Sequence, residues 1–473
     1  MGFLFHPRNR LLLLLVLPAL LQGCHKNFLN AKPATTLSVP TSLSDFQTLL
    51  DNITVFNLVP TLGEASTDDY FFTNGYWQTL DIRQQNAFIW APDIFEGQGG
   101  QLDWNMPYQQ VFYANVVLDG LGSRPEADSV SQWDALEGAA LFARAFAFYN
   151  VSQIFAPAYG TYPDTTHLGI PLRLHSDIST PSTRSTIGQT YQQIINDLDS
   201  AEAFLPVMVP NAYRNRPVRM AAQALLARVY LSMRNYSLAR AYADSALRFY
   251  DSLIDYNSLD TTASLAFSLL NQETIYQASF LGTGEYNGTN YKCSITGGFY
   301  PFTRIDSQLI TSYDPNDLRR AVFYHVKPQD SSYLKGSYTG YNFCFGGLAT
   351  DELYLIRAEG AARAGDYTSA MNDIDTLLTK RWRTGSFPGY TVASAQEALD
   401  TVLLERRKEL AFRGLRWTDL RRLNLEGYNI IINRSAGGFP GAILSWATPE
   451  LYTLPIPPDV INLSTMKQNP GRG

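Results

Sequence analysis

Two stretches of the chain, 131 positions apart, superpose residue by residue as helix, short turn, helix. Leu225-Leu226-Ala227-Arg228-Val229-Tyr230-Leu231-Ser232-Met233-Arg234-Asn235-Tyr236-Ser237-Leu238-Ala239 lies over Ile356-Arg357-Ala358-Glu359-Gly360-Ala361-Ala362-Arg363-Ala364-Gly365-Asp366-Tyr367-Thr368-Ser369-Ala370. Ala227 falls on Ala358, Asn235-Tyr236 on Asp366-Tyr367, and Ala239 on Ala370. Small residues on the first helix let the second approach closely, an Asn, Asp or Gly makes the turn, and the tyrosine is expected to pack back between the helices. One such hairpin cannot bury both of its faces, so a chain that carries two is constrained towards a stack of helices.

The pattern is that of the tetratricopeptide hairpin, a unit of about 34 residues. Two further helices fit the stack. Ala139 to Phe155 carries Ala143, Phe146, Ala147 and Tyr149 with almost no charge, which predicts burial on several sides. Ile187 to Phe204 places Tyr191, Ile194, Ile195, Leu198 and Ala201 on one stripe and stops before Pro206. The fold class is therefore mainly α, a tetratricopeptide-like helical hairpin scaffold with helical elements near 139–155, 187–250, 351–380 and 398–424.

Between these elements the pattern changes. Tyr70 to Tyr113 contains twelve aromatic residues mixed with Asn, Gln, Gly and Asp. Residues 262–349 show a similar mixture, with Tyr286, Tyr291, Phe299, Tyr300, Tyr333, Tyr338 and Tyr341 among glycines. Both segments, near 60–113 and 262–349, read as long irregular ligand-binding insertions.

A sugar ring offers C–H groups on one face and hydroxyls at its edge, so a site for it needs a flat aromatic platform with Asp, Asn, Gln or Arg around it. Stacking and buried polar contacts suit peptides as well. The candidate ligand-binding residues are Asp68, Asp69, Tyr70, Tyr76, Trp77, Arg83, Trp104 and Asn105 from the first segment, and Tyr286, Tyr291 and Tyr300 from the second. Trp90 and Trp104, flanked by Phe88, Ile89, Phe95 and Met106, suit a core as well as a platform. Tyr76 and Trp77, in an Asn-Gly-Tyr-Trp turn, read as more exposed.

Catalysis finds less support. After the leader only His25, His167, His175 and His325 occur, with no pair at metal-ligand spacing. No G-x-S-x-G elbow and no phosphate-cradling glycine loop is present. Asp68-Asp69, beside Glu64, is the acidic group that would serve a glycosidase, whose two carboxyls stand about 5 Å apart or somewhat farther. Adjacent aspartates in a loop more often cap, turn or bind, so no catalytic residue, metal or cofactor is expected.

The N-terminus sets the compartment. Arg8 and Arg10 precede the apolar run Leu11 to Leu21, which is too short to span a bilayer, and Leu21-Gln22-Gly23-Cys24 follows. Small residues directly before a cysteine form a bacterial lipoprotein cleavage box. Residues 1–23 are read as a signal peptide, Cys24 as the lipidation site, and 24–473 as a single domain. Several acyl chains on one cysteine, at about 0.8 kcal/mol per buried methylene, hold a soluble domain at a membrane.

The formal net charge of −6 becomes more negative when the leader's two arginines are removed, which argues against nucleic acid as a partner. Cys293 and Cys344 then remain, either bridged or as two buried thiols.

Near the C-terminus the chain reads Glu405-Arg406-Arg407-Lys408-Glu409-Leu410-Ala411-Phe412-Arg413-Gly414-Leu415-Arg416-Trp417-Thr418-Asp419-Leu420-Arg421-Arg422. This resembles the signature of the SusD/RagB family of Bacteroidetes outer-membrane lipoproteins, E-R-R-x-E-L-x-x-E-G-x-R-W-x-D-L-x-R, with Arg413 in place of the usual glutamate. Phe28-Leu29, Pro40-Thr41, Leu49-Leu50-Asp51, Asn115-Val116-Val117-Leu118, the hairpin Glu352 to Asp373, Leu454-Pro455-Ile456-Pro457 and Asn469-Pro470-Gly471 are similar to the family as well.

The resemblance implies a non-catalytic nutrient-capture protein, lipid-anchored in the outer membrane and facing the exterior. Such a protein binds oligosaccharides or peptides as a lid over a SusC-like TonB-dependent β-barrel, with the helical repeats towards the barrel. The alternatives are a tetratricopeptide assembly scaffold without a small ligand and, further off, a surface glycosidase. On a helix Glu405 and Glu409 stand four apart, giving one charged and one apolar face, and Arg407, Glu409, Arg416 and Asp419 are expected to pair so as to pin this helix to the stack.

Overall fold

The computed structural model describes residues 40–122, 130–208, 213–280, 303–328, 332–341, 343–434, 439 and 443–472. Cys24, Tyr286, Tyr291, Cys293 and Tyr300 lie outside them. The helices of two turns or more are, in chain order, α1 (Leu43–Leu50), α2 (Leu102–Leu121), α3 (Val130–Phe155), α4 (Ile187–Phe204), α5 (Arg219–Ser232), α6 (Tyr236–Phe249), α7 (Thr350–Arg363), α8 (Tyr367–Thr379), α9 (Ala395–Glu409) and α10 (Arg416–Leu425). From α2 to α9 each helix packs on the next, the arrangement expected of stacked hairpins.

The two sequence-related hairpins are α5–α6 and α7–α8. Asn235 and Asp366 cap the second helix of each, accepting from Leu238 N at 3.2 Å and Ser369 N at 3.1 Å. Just before each cap the chain turns through the left-handed region, at Arg234 in the first hairpin (φ +62°) and Gly365 in the second (φ +83°). Close approach is real at Gly360 on α7, where an added Cβ would stand 2.6 Å from Arg240 Cβ and 2.9 Å from the Tyr236 carbonyl of α6.

The tyrosines behave differently from one another. Tyr236 is covered, its hydroxyl donating to Glu426 and Arg363 lying 3.8 Å over its ring. Tyr367 is 40 % exposed and does not pack back as expected.

Two boundaries shift. α3 begins at Val130, nine residues before the apolar stretch, because Trp133 and Leu136 continue its buried stripe through a polar surround. The segment near 60–113, read as irregular, runs into the twenty-residue helix α2, which begins at Leu102. Pro107 inside it and aromatics on several faces obscure its period.

Strands are few and short. Among the described residues they form two-stranded pairs, including β1 (Leu58–Val59) parallel to Ser279–Phe280 and β2 (Tyr70–Phe72) antiparallel to Thr303–Ile305. The first pair joins the residues just before the 60–113 segment, and the second joins that segment itself, to the interior of the 262–349 segment. No described helix is long and apolar enough to cross a membrane.

The signature helix α9 buries charged residues along with the apolar Ala398, Leu399 and Val402. Glu405, Arg406, Lys408 and Glu409 are all at most 3 % exposed, so the charged face points inward. The signature is also not one helix: Phe412 and Gly414 take positive φ, and the chain restarts as α10 at Arg416.

Candidate ligand-binding groove

Buried charge must be paired, and the interior of this protein is organised by that requirement. Arg319 reaches Asp317 at 2.6 Å, Glu405 at 2.6 Å and Glu409 at 3.0 Å. Arg381 joins Glu409 to Glu273, each at 2.8 Å. Asp419 holds Arg406 and Arg422, and Arg422 continues to Glu359. Arg407, Glu409, Arg416 and Asp419 are each ion-paired, as expected, with partners outside these four.

The partners of Arg407 and Arg416 are the two aspartates that the sequence offered as ligand contacts. Arg416 grips Asp68 through Nε and Nη2, both at 2.7 Å, and Arg407 Nε donates to Asp69 at 3.0 Å. Burial alone would raise the Asp68 carboxyl, but Arg416, with Arg407 behind it, outweighs that and holds it well below the usual carboxylate range. Asp69 is pushed up by burial. Glu64 is pushed up to about 8, by burial first and by the charge of Asp69 second, and accepts from Gly414 N at 3.0 Å. Asp68 and Asp69 are thus framework, a correction to their reading as ligand contacts.

Tyr70 and Trp77 are corrected in the same way. Tyr70 is 3 % exposed and donates to the Ala65 carbonyl at 2.7 Å. Trp77 is buried, its Nε1 on Gln85 O at 3.1 Å and its edge on Phe439 at 5.3 Å. Trp90 is core, donating to Ser66 O at 3.0 Å. Arg434 clamps this region, spanning the carbonyls of Phe88 and Thr67 with its guanidinium 3.6 Å above the Phe88 ring. Tyr76 is half-buried against Phe72, Arg83 pairs with its neighbour Asp81 at 2.7 Å, and Asn105 is exposed.

Trp104 is the candidate that the structure brings to a concave surface. It stands at the head of a stripe on α2, Trp104, Tyr108 and Phe112, spaced four residues apart and so about 6 Å apart along the helix. Trp104 and Tyr108 are in ring contact at 4.9 Å, Trp104 also packs edge-on against Phe155, and Phe112 is 36 % exposed. With Pro171, Arg173, His175 and Met466 opposite, they enclose a groove of about 360 Å³. Sequence reading missed Tyr108, Phe112, Arg173 and His175. The four-residue spacing of the rings was the available signal, and it carries meaning only once 102–121 is recognised as a helix.

Hydrogen bonds fix the far wall of the groove to α2. Tyr108 donates to Pro171 O at 2.9 Å, and Asn115 Nδ2 to Arg173 O at 2.9 Å and His175 O at 3.2 Å. Arg144 in turn holds Asn115 Oδ1 at 2.9 Å while pairing bidentately with Asp197. Asp119 accepts from Ser176 N and Oγ, each at 2.7 Å. α2 itself is seated by Gln110, which donates to Val55 O and Leu58 O, and by Asp103, which accepts from Thr61 N and Leu62 N. The groove is therefore preformed, with a ring floor and a rim of Arg, His and Ser side chains.

Elsewhere Glu273, Asp351 and Glu409 bring carboxylate oxygens within 4.8 Å of one another. Arg381 is bonded to two of them, Arg413 to Asp351 at 3.0 Å, and Tyr338 donates to Glu273 at 2.7 Å. Their charge is balanced by guanidinium groups, and the cluster reads as an ion-pair knot rather than a cation cage.

The hairpin stack, with a groove walled by loop and helix, defines a tetratricopeptide-like helical protein. Residues 27–231 match the family model described as "Starch-binding associating with outer membrane", and residues 316–471 match that of the "SusD family". The chain belongs to the SusD/RagB family, a carbohydrate-binding family associated with the outer membrane. It is 25% identical over 426 residues to SusD-like protein P2 of Formosa agariphila, covering 78% of this chain and 80% of that one. In fold it is similar to a putative sugar binding protein of Bacteroides vulgatus, at TM-score 0.72 and 21% identity over 92% of this chain and 100% of that one. It is similar also to a laminarin binding SusD-like protein, at TM-score 0.66 and 20% identity over 92% of this chain and 100% of that one.

Proposed function

We propose that this protein captures an oligosaccharide in the groove of α2 and passes it, without cleaving it, to a SusC-like TonB-dependent barrel, acting as a lid tethered to the outer face of the membrane through acylated Cys24. The observation that carries the binding step is the ladder Trp104, Tyr108, Phe112 beneath a polar rim. The sugar's C–H face would lie on the exposed Phe112 ring, and Arg173, His175 and Ser182 would meet its hydroxyls. Delivery and tethering are supported by the family and by the Leu21-Gln22-Gly23-Cys24 sequence. Catalysis has little to work with at the conspicuous acid pair, since Asp68 and Asp69 are committed to Arg416 and Arg407.

Titration calorimetry with laminarihexaose and maltohexaose tests the groove. F112A is expected to weaken whichever oligosaccharide binds by about tenfold, from the loss of one stacking ring, without lowering the melting temperature. Unchanged affinity in F112A, or shortened oligosaccharide after incubation, would sink the reading.

A further inference from the structure

Arg319 and Arg320 are neighbours with opposite fates. Arg319 turns inward to three carboxylates, while the Arg320 guanidinium has no hydrogen-bond or ion-pair partner among the described residues. It lines a cavity of about 340 Å³ together with Arg383, His325 and Lys335. The Arg383 side chain is likewise without a partner among the described residues, and its backbone N, donating to Asn316 O at 3.0 Å, fixes it beside the 315–317 turn.

Lys335 is the decisive residue. It is 3 % exposed, and its ammonium donates only to two neutral carbonyls, Thr261 O at 2.7 Å and Ala321 O at 2.9 Å. A buried cation held by carbonyls alone bears a desolvation cost that a nearby anion would offset. Neither nearby carboxylate bonds the ammonium. Asp317, in the cavity wall, is taken by Arg319 and Lys408, and Asp260, outside it, favours the Lys335 charge from a distance while its hydrogen bonds go to Thr262 N at 2.8 Å and Thr262 Oγ1 at 2.6 Å. Within a chain of net charge −6 this is a cationic pocket of sugar-residue size.

We propose that this pocket binds an acidic group, carboxylate or sulfate ester, on a glycan, so that the protein has an anionic-sugar site separate from the aromatic groove. The glycan part of this assignment rests on the family's carbohydrate binding, and none of it rests on the groove. Arg320 and Arg383 would supply N–H pairs to the oxyanion from two sides, and Lys335 the charge beneath it.

The test is calorimetry on the mature chain with tri-galacturonate, a sulfated carrageenan tetrasaccharide, laminaritetraose and sodium sulfate. One of the two acidic oligosaccharides is expected to bind, to weaken about tenfold in R320Q/R383Q, and to weaken again between 50 and 500 mM NaCl. Which one binds identifies carboxylate or sulfate ester as the source. Both substituted side chains leave no partner behind, so the double variant is expected to melt as the wild type does. Binding of neither acidic oligosaccharide, or equal binding by the double variant, overturns the site. Sodium sulfate binding as tightly as the oligosaccharides overturns its assignment to a glycan. F112A is expected to leave acidic binding intact, so failure of the groove reading and failure of this one are separable.

Discussion

Arg416 and Asp68, 348 positions apart, are joined edge to edge, Nε to Oδ1 and Nη2 to Oδ2, both at 2.7 Å. The pair fastens the start of α10 to the turn before β2, and Arg407 of α9 fastens the adjacent Asp69. Asp68→Asn keeps the shape and removes the charge that Arg416 needs. The expected cost is about 3 kcal/mol, the scale for breaking one side of a buried ion pair, read by urea denaturation. A stability equal to wild type would mean that this contact does not hold the two segments together.

Glu64 gives the protein a pH dependence of defined sign. Its carboxyl, near 4.5 when unfolded, titrates at about 8 when buried, so the folded state binds the extra proton. Stability from this source is full below about pH 4.5 and is lost as pH rises through 8, by about 5 kcal/mol at most. Glu64→Gln retains the acceptor for Gly414 N and is expected to flatten that decline in melting temperature. A residual slope around pH 7 belongs to Glu273, raised to about 7 by burial against the pull of Arg381. A decline as steep in Glu64→Gln as in wild type would remove Glu64 from the account.

Gly360 sets the spacing of the two hairpins. Gly360→Val places atoms against Arg240 Cβ and the Tyr236 carbonyl, neither of which can swing away. A loss of about 3 kcal/mol is expected, the upper range for overpacking, visible as a lower melting temperature. A variant that melts with the wild type would show that α6 and α7 can part without consequence.

The sequence revealed what repeats or what is local. The shared Ala, Asn/Asp and Tyr positions disclosed both hairpins, and the stripe Tyr191, Ile194, Ile195, Leu198 delimited α4 at the residues where it lies. The pairing role of the signature was legible because its charges are too dense to leave one another alone. Their distant partners were not. Asp68 and Asp69, in a polar aromatic loop, look like ligand acids until the fold carries Arg407 and Arg416 to them. Tyr70 and Trp77 were hidden by the same limit, since burial is decided by what folds over a residue. The groove was half visible: Trp104 stood out by its type, whereas Tyr108 and Phe112 matter only through a helical register that Pro107 disguises.

The union of Asp68 and Asp69 with Arg407 and Arg416 also fixes an order of events. At a synthesis rate of about 5–20 residues/s, some 340 residues separate the emergence of the acids from that of their arginines by roughly half a minute. Until then the β2 region cannot close over its own charges, and a half-made chain has no finished interior to settle into. The contact that seals the β2 region is thus among the last that the growing chain can make.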